Sequence, residues 1–146
     1  MLHWYSAGCI LHGLNDQQDL RKMGGLVRIL PLTYTFMLIG SMSLIAFPYM
    51  TGFYSKDLII ETSIGQFMCI GLISYIFGVL SAVFTTIYSL RLLYYTFLTK
   101  PNGPDNSNVS EAPWVMTLPL IILALASIYV GYILKDLFIE IGRAHV

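Results

Sequence analysis

Lys56, Asp57 and Glu61 are the only charged residues between Ile29 and Leu90. A lysine beside a carboxylate in apolar surroundings can take up and release a proton. Placing a lysine at the centre of a membrane helix costs about 2.5–3.5 kcal/mol on insertion scales. An adjacent carboxylate lowers that cost, and desolvation makes an ammonium group easier to deprotonate. Glu61 follows Asp57 at i+4, so on a helix the two carboxylates share a face. His12 is the imidazole candidate for a proton carrier, although a histidine that merely packs between helices is the competing reading. For Lys56 and Asp57 the residues alone leave two readings open. The pair forms a wet turn between two spans, or it lies inside the protein at membrane depth and moves protons.

The elements around these residues are set by composition. The chain has 146 residues, 56% of them hydrophobic and 11% charged, and its mean hydropathy is +0.70. A soluble domain carries about a quarter charged residues. Long uncharged runs cover Ile29–Tyr54, Thr62–Leu90 and Ala112–Leu134, each long enough to read as a membrane span. The formal net charge is zero, which gives nucleic acid no electrostatic footing. Met1–Leu14 shows no basic region followed by a cleavage site, so the spans must act as their own insertion signals. Cys9 and Cys69 have no metal or redox spacing. No glycine-rich dinucleotide fingerprint, cysteine ligand set or haem motif occurs.

The expected fold is therefore an all-α membrane protein. It has about three full transmembrane helices plus a shortened N-terminal one, Met1–Leu14. Asn15–Arg28 is a polar connector, with Gly24-Gly25 read as a helix stop after Arg21 and Lys22. Pro31 suits a first helical turn. Pro48 lies deeper, so the second span should break near Pro48–Gly52. Irregular backbone at membrane depth survives only under cover of protein or beside a wet cavity, which turns this span towards neighbouring helices. The third segment runs from about Gln66 to Leu98, with Tyr88, Tyr94 and Tyr95 flanking Arg91 as an interfacial belt. Thr99–Glu111 is a loop; its Asn108-Val109-Ser110 fits the glycosylation acceptor pattern, which has meaning only in a secretory lumen. Pro119 falls in the first turns of the last span, which Lys135-Asp136 closes. The connector and the loop after the third segment hold Arg21, Lys22, Arg28, Arg91 and Lys100 and should share the cytoplasmic or matrix side. Lys56 and Lys135 fall on the other.

Three stretches carry a family resemblance: "HGLNDQQDLRKMGGL" (His12–Leu26), "GSMSLIAFPYMTGFYSKDLIIE" (Gly40–Glu61) and "SEAPWVMTLPLIILALASIYVGYILKD" (Ser110–Asp136). They resemble chain 5 of mitochondrial NADH:ubiquinone oxidoreductase (respiratory complex I), over nearly everything from Ser6 to Ile139. Mrp-type cation/proton antiporter subunits share the same helix core more loosely. The resemblance implies an antiporter-like subunit of the membrane arm and a match to part of its second half. It implies that Lys56 and Asp57 sit within a broken helix on the proton route towards the outer side. Lys56 would then be a proton-relay residue, Asp57 its electrostatic partner, Glu61 a weaker member and His12 a weak one. The family's run "HAFFKALLFLSAG" would end at Ser6-Ala7-Gly8; Met1–Tyr5 do not match it, so its channel lysine is not represented. No cofactor is expected in this chain; NAD, FMN, iron–sulfur clusters and ubiquinone would belong to partner subunits. The expected partners are the other membrane-arm subunits of complex I and the lipid bilayer. The expected place is the mitochondrial inner membrane, crossed several times.

Residues 1–139 are expected to be part of the proton-conducting domain. Glu140–Val146 departs from the family. Its codons can match a common sequencing adapter, so it is read as a non-native tail. Two further readings stand beside the main one: a subunit of an Mrp-type antiporter, and a non-catalytic split or remnant membrane piece. Weaker polar candidates are Tyr34, Thr35, Ser41 and Ser43, which could line a polar axis or satisfy neighbouring backbone. Tyr49 and Tyr54 could support the helix break. The glycines at 40, 65, 71 and 78 read as ordinary close-packing positions.

Overall fold

The computed structural model describes residues 1–16, 18–65, 69–101, 109, 111 and 113–144, with backbone alone for Cys69 and residues 135–144. The described residues form five α-helices and no strand: α1 (Leu2–Gly13), α2 (Pro31–Ile45), α3 (Thr51–Ile64), α4 (Cys69–Leu93) and α5 (Trp114–Ala144). A 3-10 turn at Leu26–Arg28 precedes α2, and a π-helical turn at Tyr94–Leu98 extends α4. Asn108 and Ser110 of the acceptor pattern, the side chains of Lys135 and Asp136, and those of the 140–146 tail lie outside the described residues.

Two stretches are long and apolar enough to cross a bilayer: Ile70–Leu98, 29 residues at mean hydropathy 2.0, and Trp114–Leu134, 21 residues at 2.1. The stretch 29–54 is divided between two helices, as Pro48–Gly52 suggests. α2 has 15 residues, which at 1.5 Å each is about 22 Å, short of a hydrocarbon core of about 30 Å.

The interruption falls at 46–50, where the sequence places Pro48. Phe47 N–H donates to the Met42 carbonyl at 3.0 Å and Ala46 N–H to the Ser43 carbonyl at 3.3 Å. This paired closure ends α2 with its C′ residue, Ala46, in the left-handed region at φ 67°. Met50 N–H then donates to the Phe47 carbonyl at 3.1 Å. Pro48 and Tyr49 are the central residues, with Tyr49 at φ 70°. That is a type II turn, with proline where its fixed φ is wanted and tyrosine where glycine is usual. Neither left-handed residue is glycine, at a cost of about 1–2 kcal/mol each. α3 restarts at once, Phe53 N–H donating to the Met50 carbonyl at 3.0 Å.

The chain divides into two compact units, 1–41 with 87–124, and 42–86 with 125–146. In the first, Ile10, Leu26, Leu30, Met37, Leu93 and Phe97 form one buried cluster. Leu2, Cys9, Phe36, Leu120 and Ala124 form another. The Tyr34 ring meets Phe97 edge-on at 5.0 Å. Gly40 lets α2 close on α1, since a Cβ there would stand 3.0 Å from the His3 nitrogen. α2 opens at Pro31 as its sequence suggests, and the next N–H, on Leu32, donates to Glu111 Oε1 at 3.0 Å. A carboxylate from a distant loop thus serves as the cap of this helix.

Gly24-Gly25 does not stop a helix. α1 ends at Gly13, closed by Leu14 N–H on the Ile10 carbonyl and Asp16 N–H on the Leu11 carbonyl, with Asn15 and Asp16 at positive φ. The glycine pair instead lets two chain segments touch. Gly24, at φ 152°, lies against the Lys100 carbonyl, and a Cβ on Gly25, at φ 66°, would be 3.2 Å from Pro101 Cδ. The connector and the start of the loop after the third segment therefore meet.

Candidate functional site

α3 carries Lys56, Asp57 and Glu61, and its burial pattern separates them. Residues 51–54, Lys56, Ile60 and Ser63 are half-buried, whereas Ser55, Asp57, Leu58, Ile59, Glu61 and Thr62 are exposed. Phe53, Lys56, Ile60 and Ser63 repeat at three and four positions, the spacing of one packed helix stripe, with Tyr54 half-buried beside them. Lys56 sits in that stripe. Asp57 is the next residue along, about 100° around the helix, and side chains one apart do not face each other. Asp57 and Glu61 share a face at i+4. Among the described residues none of the three makes an ion pair. His12 is an exposed residue in the last turn of α1, in the first unit, while Lys56 belongs to the second.

What holds α3 in place is a set of contacts at its start. The Thr51 hydroxyl donates to the Ser127 carbonyl at 2.6 Å and accepts from the Gly131 N–H at 3.2 Å. Residues 127 and 131 are the two ends of one i→i−4 rung of α5, so the hydroxyl bridges that rung. Gly131 has no side chain to prevent this, and a Cβ there would run into Thr51 Cα. The next residue, Gly52, lies against the Ser43 carbonyl of α2, which a Cβ would also strike. Further along, Ile60 Cγ1 is 3.6 Å from where a Gly78 Cβ would be on α4, ordinary contact. Lys56 thus lies between two anchor points of its own helix, in the first turns after the break.

The other polar candidates satisfy their own helices. Thr35 donates to the Pro31 carbonyl at 2.9 Å, and Ser41 to the Leu38 carbonyl at 2.9 Å. Tyr54 meets Phe53 edge-on at 5.4 Å, and Tyr49 supplies the left-handed corner of the turn. Arg91 is exposed and lies 5.7 Å from the Tyr95 ring centre, in keeping with an interfacial pair. Among the described residues no three His, Cys, Asp or Glu side chains converge to hold a metal. Sequence reasoning singled out Gly52 for the break but not Gly131 or the Thr51 hydroxyl. Their only local signals are a Thr-Gly step after a proline and one glycine in an apolar run, and 80 residues separate the partners.

The family described as NADH:quinone oxidoreductase/Mrp antiporter, transmembrane, matches residues 2–85. The chain belongs to this family. The family described as NADH dehydrogenase subunit 5 C-terminus matches residues 88–142. The chain is 54% identical over 143 residues to NADH-ubiquinone oxidoreductase chain 5 of Cryptococcus neoformans var. grubii, covering 97% of this chain and 22% of that protein. It is 53% identical to the same chain of Rhizopus stolonifer over 143 residues, with the same coverage. Against that of Podospora anserina it is 51% identical over 145 residues, again 97% of this chain and 22% of the relative. The chain thus spans about a fifth of the length of these relatives. Family membership, with two apolar helices of spanning length, makes it a membrane protein, and its C-terminal part is similar to that of chain 5.

Proposed function

We propose that this chain is part of the proton-translocating chain 5 subunit of NADH:ubiquinone oxidoreductase, and that Lys56 passes protons within it. The observation that carries the reading is the place of Lys56: in the packed stripe of α3, a few residues beyond a helix interruption, with no ion-pair partner among the described residues. Broken helices in antiporter-like folds put ionisable groups and unpaired backbone at membrane depth. A lysine there can alternate between ammonium and amine as water reaches or leaves it. Asp57 acts through its field from the neighbouring face, not as a contact partner. Glu61, one turn on, extends that acidic face, and His12 has a lesser part at the end of α1.

In this reading the enzyme is the assembled NADH:ubiquinone reductase of the mitochondrial inner membrane. NAD, FMN, iron–sulfur clusters and ubiquinone are bound by other subunits, and redox work there drives protons through this one. The partners are the other membrane-arm subunits and the lipid. Residues 1–139 belong to the proton-conducting domain.

Replacing Lys56 by Ala in the full-length subunit tests the reading. Proton translocation should fall while the complex still assembles, and Lys56→Arg, which keeps the charge but does not release a proton, should fail similarly. Unchanged protons moved per electron in both variants would refute the relay.

A further inference from the structure

Lys56 has no ion-pair partner among the described residues, so its position must come from the helix that carries it. α3 begins at Thr51 without a side-chain cap from Met50, directly after a turn with two left-handed non-glycine residues. Such a start has little of its own to fix its direction. The Thr51 hydroxyl supplies what is missing by joining α3 to the Ser127–Gly131 rung of α5. Lys56 is five residues further along, about 7.5 Å of helix rise from this contact.

We propose that Thr51 is a positioning residue for Lys56, acting through its hydroxyl bridge to Ser127 and Gly131; this rests on the relay reading of Lys56. The chemistry of the bridge makes it a latch, not a structural bolt. When the hydroxyl is seated, it serves both a carbonyl and an N–H of α5. When it is withdrawn, those two groups are an ordinary i→i−4 pair and can close on each other. Neither is left orphaned in apolar surroundings, where an unpaired backbone group is costly. Releasing Thr51 therefore leaves α5 satisfied and frees the start of α3 to shift. Gly131 is what makes room for the approach, and Gly52 lets the same turn of α3 seat on the Ser43 carbonyl.

The test uses the full-length subunit in the assembled complex, with Thr51→Val, Thr51→Ser and Lys56→Ala made singly and Thr51→Val also made together with Lys56→Ala. Valine keeps the shape and removes the hydroxyl. Thr51→Val should assemble normally yet translocate protons about fivefold more slowly, as expected for one lost partly buried hydrogen bond. Thr51→Ser should restore most of the rate. In the Lys56→Ala background Thr51→Val should add no further loss, because the two residues act as one unit. A normal rate in Thr51→Val beside an impaired Lys56→Ala overturns the latch and leaves the relay standing. Losses that simply multiply in the double variant, or failed assembly of Thr51→Val, also overturn it, since Thr51 would then act on something other than Lys56. A normal rate in Lys56→Ala overturns the relay itself, and the latch with it.

Discussion

The two units of this chain are held together in different ways. In the first, side chains do the packing: Leu26, Leu30, Met37 and Phe97 are at most 1% exposed, and every buried side chain of the described residues belongs to this unit. In the second, α3 has no buried residue at all, and the close contacts run through backbone: Gly52 on the Ser43 carbonyl, Gly131 on Thr51. Core packing tolerates some rearrangement of side chains, whereas two backbones in contact leave no rotamer to adjust. The lysine-bearing helix is thus the one whose place depends on glycines and one hydroxyl.

This contrast can be broken by substitution in the full-length subunit, following thermal unfolding of the purified assembly. Gly52→Ala should have the largest effect, a loss of about 4 kcal/mol or more, because its Cβ meets a carbonyl that cannot move aside. Phe97→Ala in the first unit should cost about 3–5 kcal/mol, with the ring contact to Tyr34 lost as well. If Gly52→Ala were milder than Phe97→Ala, the backbone account of the second unit would fail. In the opposite direction, Ala46→Gly should stabilise by about 1 kcal/mol, since glycine accepts the left-handed C′ position without the cost alanine bears. Gly78→Ala should be the smallest change, within about 0.5 kcal/mol of the parent, because its Cβ would make only ordinary contact with Ile60. A large effect at Gly78 would show that every glycine of the second unit matters alike, not just those at backbone contacts.

The helix interruption was legible from Pro48, because a fixed φ and a missing donor act locally whatever surrounds them. So was the start of α2 at Pro31. Gly24-Gly25 misled, since a glycine pair marks unusual backbone without saying why. A helix stop and a close approach to another segment need the same φ values, and only the neighbouring Lys100–Pro101 backbone tells them apart. Hydropathy alone would not have shown the break in the second span. Hydropathy runs on through a helix break, so 29–54 reads as one apolar stretch although the backbone divides it in two. The π-helical turn at Tyr94–Leu98 had no signal in residue type.

By itself the sequence determined that this is a helical membrane protein, where its second apolar stretch breaks, and which titratable groups lie beside that break. Those follow from hydropathy, proline geometry and charge, which are properties of short windows. Only the tertiary structure decided that Lys56 lies in the packed stripe of α3 while Asp57 and Glu61 do not, and that Thr51 reaches a rung of α5. A side chain's face depends on which helices pack against its own, and a hydroxyl's partner depends on two segments 80 residues apart coming within hydrogen-bonding distance. No local pattern encodes either.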